Sequence, residues 1–298
     1  MRVIIFGCRS ITNSFIDLVL KNGDEIPLVV THDEERDRIY GKTLVKEYCD
    51  TMGLENIRFD KKIDAKAIKS KNPDVVFSIY YRRIINSDIL EIPSMGCINV
   101  HPAMLPKGRG PAPTMWNVLN GDEFAGSTIH YMVEGVDAGD IIDQVSIKIG
   151  NRTGFELNRD LMYSCYDLLE RNYKPILQKA NKRIPQVQGD AEYCLPFTKS
   201  LRYMIWDYPD KILNQIKTFT KPYDGALTYT AKGEKIIVWS AKKISTRDSL
   251  KPPGWFELQK DDCILVQTNT TPILITDYSL ITDKIRNSGR FISGPQSI

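Results

Sequence analysis

The sequence has 298 residues, the length of two ordinary domains or of one large α/β domain with an appendage. Hydrophobic residues make up 42% and charged residues 26%, and this balance excludes an extensively disordered chain. The net charge is only +3, and the basic residues are spread along the chain in runs no longer than pairs. Composition therefore does not favour a nucleic-acid-binding protein.

Neither a metal site nor a membrane anchor is predicted. None of the six cysteines lies in a CxxC pair, and no Cys/His cluster has zinc spacing, so reduced, buried thiols are expected at positions such as Cys8 and Cys97. No apolar run approaches the roughly 20 residues that a membrane helix needs. The first residues resemble a strand and not a secretion signal. We therefore expect a cytoplasmic protein that binds no metal and no membrane.

The first half of the chain alternates short strands with helices. Residues 3–6 form an apolar, β-branched run ending at Gly7, typical of a parallel strand buried on both faces. Helical spacing follows over 10–22, with Gly23 as a stop. The same alternation continues, with strands at 26–31, 57–59, 74–80, 96–101 and 127–132 and helices at 42–52 and 65–71. This pattern predicts an α/β fold with a Rossmann-like, doubly wound, mostly parallel sheet.

The loop after the first strand argues against a nicotinamide-dependent enzyme. A dinucleotide-binding loop carries a GxGxxG set, whereas here only Gly7 is present and Cys8, Arg9 and Ser10 follow it. The sheet is therefore predicted without its usual dinucleotide ligand.

The second half of the chain no longer alternates short strands with helices. Residues 156–179 have the spacing of a long amphipathic helix, the polar stretch 185–189 resembles a linker, and 201–219 can hold one or two short helices. Short strands then recur between turn residues, at 226–230, 235–241, 254–258, 264–268 and 272–278. They predict a small antiparallel barrel. We expect a catalytic domain over residues 1–200 and a smaller β-rich domain over 201–298.

The stretch Asn-Val-His-Pro at residues 99–102 carries the most chemical information. Asn99 and His101 lie on the same face of a predicted strand, at its carboxyl end, where open α/β sheets bind ligands. Pro102 ends the strand, and the Pro- and Gly-rich segment up to residue 113 predicts a shaped loop. An amide can donate to an oxyanion and an imidazole can exchange a proton. Taken alone, the pair also fits a strand end with satisfied polar groups.

A second polar loop follows at residues 133–142. Two carboxylates, Asp137 and Asp140, flank Gly139 there. Either the loop is a turn in which these residues serve geometry, or Asp137 orients and charges His101 as the third member of a triad does. His130, which precedes this loop, is expected to be a strand residue near the site.

These segments together resemble the N10-formyltetrahydrofolate-dependent formyltransferases. The motifs that carry the resemblance are Asn-Val-His-Pro, Leu-Pro-x-Gly-Arg-Gly, Gly-Ser-Thr-Ile-His and Val-Asp-Ala-Gly-Asp, with further likeness at 220–226 and 233–239. The resemblance implies formyl transfer by Asn99, His101 and Asp137 without a metal. It also implies a folate-binding segment at 80–85. The implied folate-binding residues are Tyr81, Arg82, Arg83, Ile84, Ile85, Val136 and Asp140.

The resemblance is strongest to the nucleotide-sugar members of that family. Single-domain glycinamide ribonucleotide enzymes lack a second domain, and methionyl-tRNA enzymes commonly carry a basic insertion that is not found here. We expect the acceptor to be the amine of a nucleotide-linked amino sugar, such as a dTDP-amino-dideoxyhexose, with no nucleic acid bound and a possible homodimer. Its pyrophosphate is expected to meet Arg9, Lys107 and Arg109, and Gly108 and Gly110 are expected to bind the substrate as well. A methionyl-tRNA formyltransferase and a non-catalytic folate or nucleotide-sugar binding protein remain alternatives.

Overall fold

The computed structural model describes residues 1–58, 63–245, 251–281 and 287–292. The chain divides into two compact units. One comprises Met1–Pro113, Ala125–Ile147 and Arg159–Leu195, and the other comprises Thr114–Phe124, Lys148–Asn158 and Pro196–Ile298. The second unit draws on two segments that precede residue 200. The expected division into domains at that residue therefore stays a prediction.

A seven-stranded sheet forms the centre of the first unit. Its strands are Arg2–Gly7 (β1), Glu25–Thr31 (β2), Asn56–Arg58 (β3), Val75–Ile79 (β4), Cys97–His101 (β5), Phe124–Tyr131 (β6) and Ile141–Lys148 (β7). They lie in the order β3-β2-β1-β4-β5-β6-β7, with parallel pairing from β3 through β5 and an antiparallel β6. The prediction of a doubly wound, mostly parallel sheet is confirmed.

Apolar strands and helices explain the core of this unit. Strand β1 is buried from Val3 to Gly7, as expected for a parallel strand covered on both faces. The helices in this part of the chain are Ser10–Lys21 (α1), Val45–Met52 (α2), Ala65–Lys69 (α3), Ser87–Leu90 (α4), Pro113–Asn120 (α5) and Gly154–Leu177 (α6). Phe15 of α1 packs on Phe77 of β4 with ring centroids 4.8 Å apart. Gly23 takes a φ of 77° just beyond α1, a conformation that favours glycine.

The strand order reverses at β1, which lies between β2 and β4. In open α/β sheets the crevice at the carboxyl ends near such a point is the usual ligand site. The antiparallel pairing of β5 with β6 places Asn99 opposite His130 and His101 opposite Thr128. Strand β7 and helix α5 were not predicted.

The second unit contains a closed, six-stranded antiparallel barrel. Its strands are Ala226–Thr230 (β8), Lys235–Lys243 (β9), Trp255–Leu258 (β10), Ile264–Val266 (β11), Ile273–Leu280 (β12) and Ser288–Ile292 (β13), and helix α7 spans Pro209–Phe219. The rings of Phe256 and Phe291 stack in its core with centroids 4.3 Å apart. The predicted barrel is confirmed. Phe59, the last residue of a predicted strand, lies outside the described residues, and the last barrel strand was not predicted.

A bilayer needs a helix of about 20 apolar residues to span it. No helix among the described residues has that combination of length and apolarity.

Candidate active site

Asn99, His101 and Asp137 meet at the carboxyl end of β5. His101 Nδ1 lies 3.7 Å from Asp137 Oδ2, and Asn99 Nδ2 lies 3.5 Å from Asp137 Oδ1. The first distance is within ion-pair range, and the second is at the outer limit of a hydrogen bond. His101 is 7% exposed. An amide, an imidazole and a carboxylate from two separate segments therefore share one site, the geometry that acyl-transfer chemistry requires.

The imidazole of His101 is oriented by the loop that follows β5. Its Nε2 lies 2.8 Å from the carbonyl oxygen of Gly108. Because a carbonyl only accepts hydrogen bonds, Nε2 carries a proton and donates it here. Nδ1 then faces Asp137, so a second proton on the ring would meet a negative charge.

Asp137 is held by both its side chain and its backbone. Its φ of 50° lies in the left-handed region that few residues other than glycine adopt. The Gly110 N–H donates to Asp137 Oδ2 at 2.8 Å. Nε2 of Gln186 donates to the carbonyl oxygens of Asp137 and Gly139, at 2.8 and 2.7 Å. The loop is thus a turn, and the same turn directs a carboxylate to His101.

His130 is a fourth member of the cluster and is buried. Nδ1 of His130 lies 2.8 Å from the Tyr131 carbonyl oxygen and must donate to it, and its Nε2 lies 3.1 Å from Asn99 Nδ2. Burial lowers the pKa of His130 to about 4, against the opposing charge of Asp137. The ring is therefore neutral near pH 7, and its bare Nε2 accepts from the Asn99 amide. The sequence placed His130 near the site without assigning it this contact.

Arg109, which was expected to contact a pyrophosphate, is buried in the structure. Its side chain has no exposure to solvent. Nε and Nη2 donate to Gln186 Oε1 at 3.2 and 2.7 Å, while Nη1 donates to Gln188 and Tyr193 at 2.9 and 3.1 Å. A guanidinium with these partners supports the loop from inside. Its placement does not support the prediction that Arg109 meets a pyrophosphate.

Gln186 is the residue that sequence reasoning missed. The polar stretch 185–189 predicted a linker, but Gln186 is only 8% exposed and makes four side-chain hydrogen bonds. The linker interpretation is wrong at this residue. No local period marks it, because its partners come from loops that are distant in the chain.

The other residues expected to bind substrate differ in burial and in their partners. The guanidinium of Arg9 lies over the rings of Tyr40 and Tyr80, at 4.0 and 4.8 Å from their centroids, and its side chain is 14% exposed. Lys107 is exposed and pairs with Glu192 at 2.9 Å. The backbone of Gly108 and Gly110 serves His101 and Asp137, as described above. Contact of these residues with a substrate stays a prediction.

The expected folate segment divides into buried and exposed parts. Arg82 makes a bidentate ion pair with buried Asp37, at 2.7 and 2.9 Å, and donates from Nε to His32 Nε2 at 3.2 Å. Burial acts to raise the pKa of Asp37, but the hydrogen bonds from Arg82 and from the Glu34 N–H, together with the charges of Arg82 and Arg9, lower it below its ordinary value. Burial, followed by the charges of Arg82 and Arg83, lowers the pKa of His32 to about 4. These polar groups stabilise the fold beneath the segment.

The apolar residues of the two expected folate-binding segments provide exposed surface. Ile84 is 82% exposed and Val136 is 49% exposed, whereas Ile85 is buried. The Tyr81 ring packs edge-on to Phe6 with centroids 5.3 Å apart. Exposed aliphatic side chains suit contact with the face of a heterocycle.

Asp140 forms an ion pair at the edge of the site, and no cluster of metal ligands accompanies it among the described residues. Asp140 pairs with Arg183 at 3.3 Å, and its carbonyl accepts from the Tyr131 N–H. Across the parts of the chain that the structure describes, no group of three or more His, Cys, Asp or Glu side chains could hold a metal ion.

The site can now be compared with known proteins. The model of the formyl transferase family matches residues 1–159, more than half of the chain, and that of the formyl transferase C-terminal domain matches residues 198–296. The chain belongs to the formyl transferase family. It is a formyltransferase, and the predicted family and enzyme class are confirmed.

Curated relatives of this formyltransferase include a methionyl-tRNA formyltransferase and a bifunctional protein. A methionyl-tRNA formyltransferase from Agathobacter rectalis is 31% identical over 303 residues, covering 99% of this chain and 96% of the relative. The bifunctional polymyxin resistance protein ArnA from Wigglesworthia glossinidia brevipalpis is 32% identical over 262 residues, covering 85% of this chain and 39% of that protein.

Solved structures share the fold of this formyltransferase. One is the N-formyltransferase from Helicobacter canadensis in complex with folinic acid and dTDP-3-aminofucose, with a TM-score of 0.65, 18% identity and coverage of 92% of this chain and 98% of that one. Another is WlaRD, a sugar 3N-formyl transferase in the presence of dTDP and 5-N-formyl-THF, with a TM-score of 0.68, 18% identity and coverage of 96% and 99%. At these identities the likeness concerns the fold.

Proposed function

We propose that this formyltransferase moves the formyl group of N10-formyltetrahydrofolate to the amine of a nucleotide-linked amino sugar, a dTDP-amino-dideoxyhexose in the first instance. The observation that carries the chemistry is the convergence of Asn99, His101 and Asp137, at 3.5 and 3.7 Å. The solved structures with the same fold include two sugar formyltransferases with dTDP or a dTDP-sugar. These neighbours support a nucleotide-sugar acceptor.

The charges around the site also favour a small acceptor over an RNA. Gripping an RNA backbone requires several cations free to displace counterions. Here Arg82 pairs with Asp37, Lys107 with Glu192 and Arg183 with Asp140, and Arg109 is buried. Much of the positive charge near the site is thus already matched within the chain.

The proposed mechanism needs no covalent intermediate on the protein. The neutral amine attacks the formyl carbon, and the carbonyl oxygen becomes negative in the tetrahedral centre. Asn99 Nδ2 donates a hydrogen bond to that oxygen, a contribution of about 3 kcal/mol for a well-placed donor. The His101 ring stabilises the oxygen through its positive charge, because its Nε2 is bonded to the Gly108 carbonyl and its Nδ1 faces Asp137. One N–H of Asn99 is held by His130, and the other, 3.5 Å from Asp137, turns to the substrate.

Proton transfer completes the reaction. Asp137 supplies the negative charge that complements the imidazolium and can accept the proton lost by the amine, directly or through water. When the tetrahedral centre collapses, the bond from the formyl carbon to folate N10 breaks, and N10 takes up a proton. The products are the formamide and tetrahydrofolate.

The decisive experiment compares acceptors. Purified protein is incubated with N10-formyltetrahydrofolate and a panel of dTDP- and UDP-linked amino sugars, with His101→Asn protein as the matched control. We expect formylation of at least one amino sugar by the wild type and loss of at least about 99% of that turnover in the variant. Failure with every sugar would retire the nucleotide-sugar proposal.

The curated relative with 31% identity over almost the whole chain favours a second candidate, formylation of methionyl-tRNA. The same assay with charged initiator tRNA tests it. An RNA acceptor would show a KM that rises steeply with salt, because each phosphate contact releases counterions, whereas an amino-sugar acceptor would show a shallow dependence.

A further inference from the structure

The side chain of Gln186 joins two loops of the active site. Its Oε1 accepts from Nε and Nη2 of Arg109 at 3.2 and 2.7 Å. Its Nε2 donates to the carbonyl oxygens of Asp137 and Gly139 at 2.8 and 2.7 Å. One buried amide therefore links the guanidinium of the loop after β5 to the backbone of the loop that carries the carboxylate.

The chemistry of these partners fixes both the orientation and the type of the residue. A guanidinium only donates hydrogen bonds, and a carbonyl only accepts them. The amide oxygen must therefore face Arg109, and the amide nitrogen must face Asp137 and Gly139. A carboxylate at position 186 could accept but not donate, and an ammonium could donate but not accept. A primary amide combines an oxygen that accepts with two N–H groups that donate, one for each carbonyl.

The loop that carries Asp137 needs external support. Asp137 has a φ of 50°, a conformation that persists only where the surroundings enforce it. Gly139 lies so close to the chain that an added Cβ would come 1.9 Å from the Tyr131 carbonyl oxygen. The two carbonyls bonded by Gln186 belong to these two residues. The Gln186 amide thus bonds the two residues of this loop whose backbone conformation is constrained.

The other end of the link is rigid. Arg109 has no solvent exposure, and its Nη1 donates to Gln188 and Tyr193. Its backbone N–H donates to the Glu192 carbonyl at 2.9 Å, and its carbonyl accepts from the Cys194 N–H at 2.8 Å. Segment 186–194 therefore passes alongside the Arg109 loop, and Gln186 connects that assembly to Asp137.

We propose that Gln186 is a positioning residue for formyl transfer: it holds the Asp137 carboxylate against Asn99 and His101 by bonding the loop backbone to the buried guanidinium of Arg109. The inference rests on the proposed function, which assigns the chemistry to Asp137. Gln186 itself touches none of the three catalytic side chains' functional groups, and it acts through the loop.

Two variants separate positioning from general stability. Gln186→Ala removes both halves of the link. Gln186→Glu keeps an acceptor for Arg109 but places a carboxylate oxygen against two carbonyls. Gln178→Ala, an exposed residue beyond the end of α6, is the matched control. We expect Gln186→Glu to remain folded, with a melting temperature lower by only a few degrees because two buried carbonyls lose their donor. Its kcat should fall by about 10- to 100-fold, as in Gln186→Ala, because misplacement of a reacting group by about 1 Å has an effect of that size. The control should retain both values.

A double-mutant comparison tests whether Gln186 acts through the carboxylate. In an Asp137→Asn background, Gln186→Ala should reduce single-turnover formylation by less than about threefold, because the group that it positions is already lost. An equal factor in both backgrounds, or a wild-type kcat in Gln186→Glu, would overturn the proposal.

Hydrogen exchange tests the positioning role of Gln186 without any formyl-acceptor substrate. Peptides covering residues 133–140 should exchange at least about tenfold faster in Gln186→Ala than in the wild type or in Gln178→Ala, because local opening follows the loss of loop contacts. Unchanged exchange would overturn the positioning role. Should the wild type formylate neither amino sugars nor charged tRNA, the proposed function fails, while the exchange comparison still decides whether Gln186 fixes the loop.

Discussion

Asn99 and His130 lie directly opposite each other on antiparallel β5 and β6, and Asn99 donates from Nδ2 to His130 Nε2 at 3.1 Å. Because His130 is neutral and bonds the Tyr131 carbonyl through Nδ1, its Nε2 can only accept. The amide nitrogen of Asn99 is therefore turned toward Asp137 and its oxygen away from it. The register of one strand pair thus determines how the amide meets the substrate.

The first prediction concerns the imidazole of His101. Replacing His101 with Asn removes a proton-exchanging group, and turnover should fall by about two orders of magnitude or more. Steady-state kinetics at saturating co-substrate measure the loss, and the melting temperature checks that the variant is folded. Turnover close to that of the wild type would remove His101 from the mechanism.

The second prediction concerns the buried ion pair of Asp37 with Arg82. Asp37→Ala should lower the free energy of unfolding by about 2–3 kcal/mol, since it leaves a partly buried guanidinium without its carboxylate. Because the Arg82 side chain is 29% exposed, solvent screening keeps the effect below that of a fully buried pair. Urea denaturation measures the difference.

Glu35→Ala is the matched control for that pair. Glu35 and Asp37 lie on one short 3-10 helix, Glu35–Tyr40, and Glu35 pairs with Arg38 and is 79% exposed. Solvent screens an exposed pair of this kind, so Glu35→Ala should leave the free energy of unfolding close to that of the wild type. Equal destabilisation by the two variants would contradict a structural role for the Asp37–Arg82 pair.

The third prediction concerns pH. Burial lowers the folded-state pKa of His130 to about 4, below the unfolded value near 6.5, so the unfolded chain binds the extra proton first. The stabilising contribution is complete above pH 6.5 and is lost as the pH falls toward 4, by up to about 1.4 kcal/mol per pH unit. His130→Asn should show a shallower loss over that window in urea titrations, with His32 supplying the remainder. Parallel pH profiles would argue that His130 titrates normally.

The fourth prediction concerns Gly139. A methyl group there would collide with the Tyr131 carbonyl oxygen, so Gly139→Ala should lower stability by about 1–3 kcal/mol and turnover by more than about tenfold. Gly189→Ala is the control, because an added Cβ at Gly189 meets nothing within 4 Å. A Gly139→Ala protein with full turnover would show that the loop tolerates displacement.

Local sequence patterns predicted much of the fold. Apolar runs such as residues 3–6 and the evenly spaced strands after residue 225 indicated a parallel sheet and a barrel, because burial on one or two faces leaves a period in the sequence. Strand β7 was missed: it alternates apolar and polar residues only from Val145 onward, and of its residues only Ile141 and Ile142 are buried. The short helix α4 was missed as well.

The sequence predicted those site residues whose functional side chains lie on one short segment. Asn99 and His101 could be paired from the alternation of one strand, and Asp137 by resemblance. Gln186 could not be found this way, because its four bonds reach two loops that lie about 50 and 77 residues away in the chain. The burial of Arg109 could not be predicted for a related reason: a motif shows residue types, whereas burial depends on partners from segments later in the chain, such as Gln186.

The burial of Arg109 has a consequence for how acceptor choice can be altered. The outward positions of the same loop are Lys107, Pro111 and Ala112, which are exposed. The proposed function predicts that this loop faces the acceptor, so substitutions at these three places should change the surface that the acceptor meets while the buried guanidinium and its hydrogen bonds remain intact. Diversification by random libraries should therefore recover altered specificity at 107, 111 and 112 and mostly unfolded or inactive protein at 109.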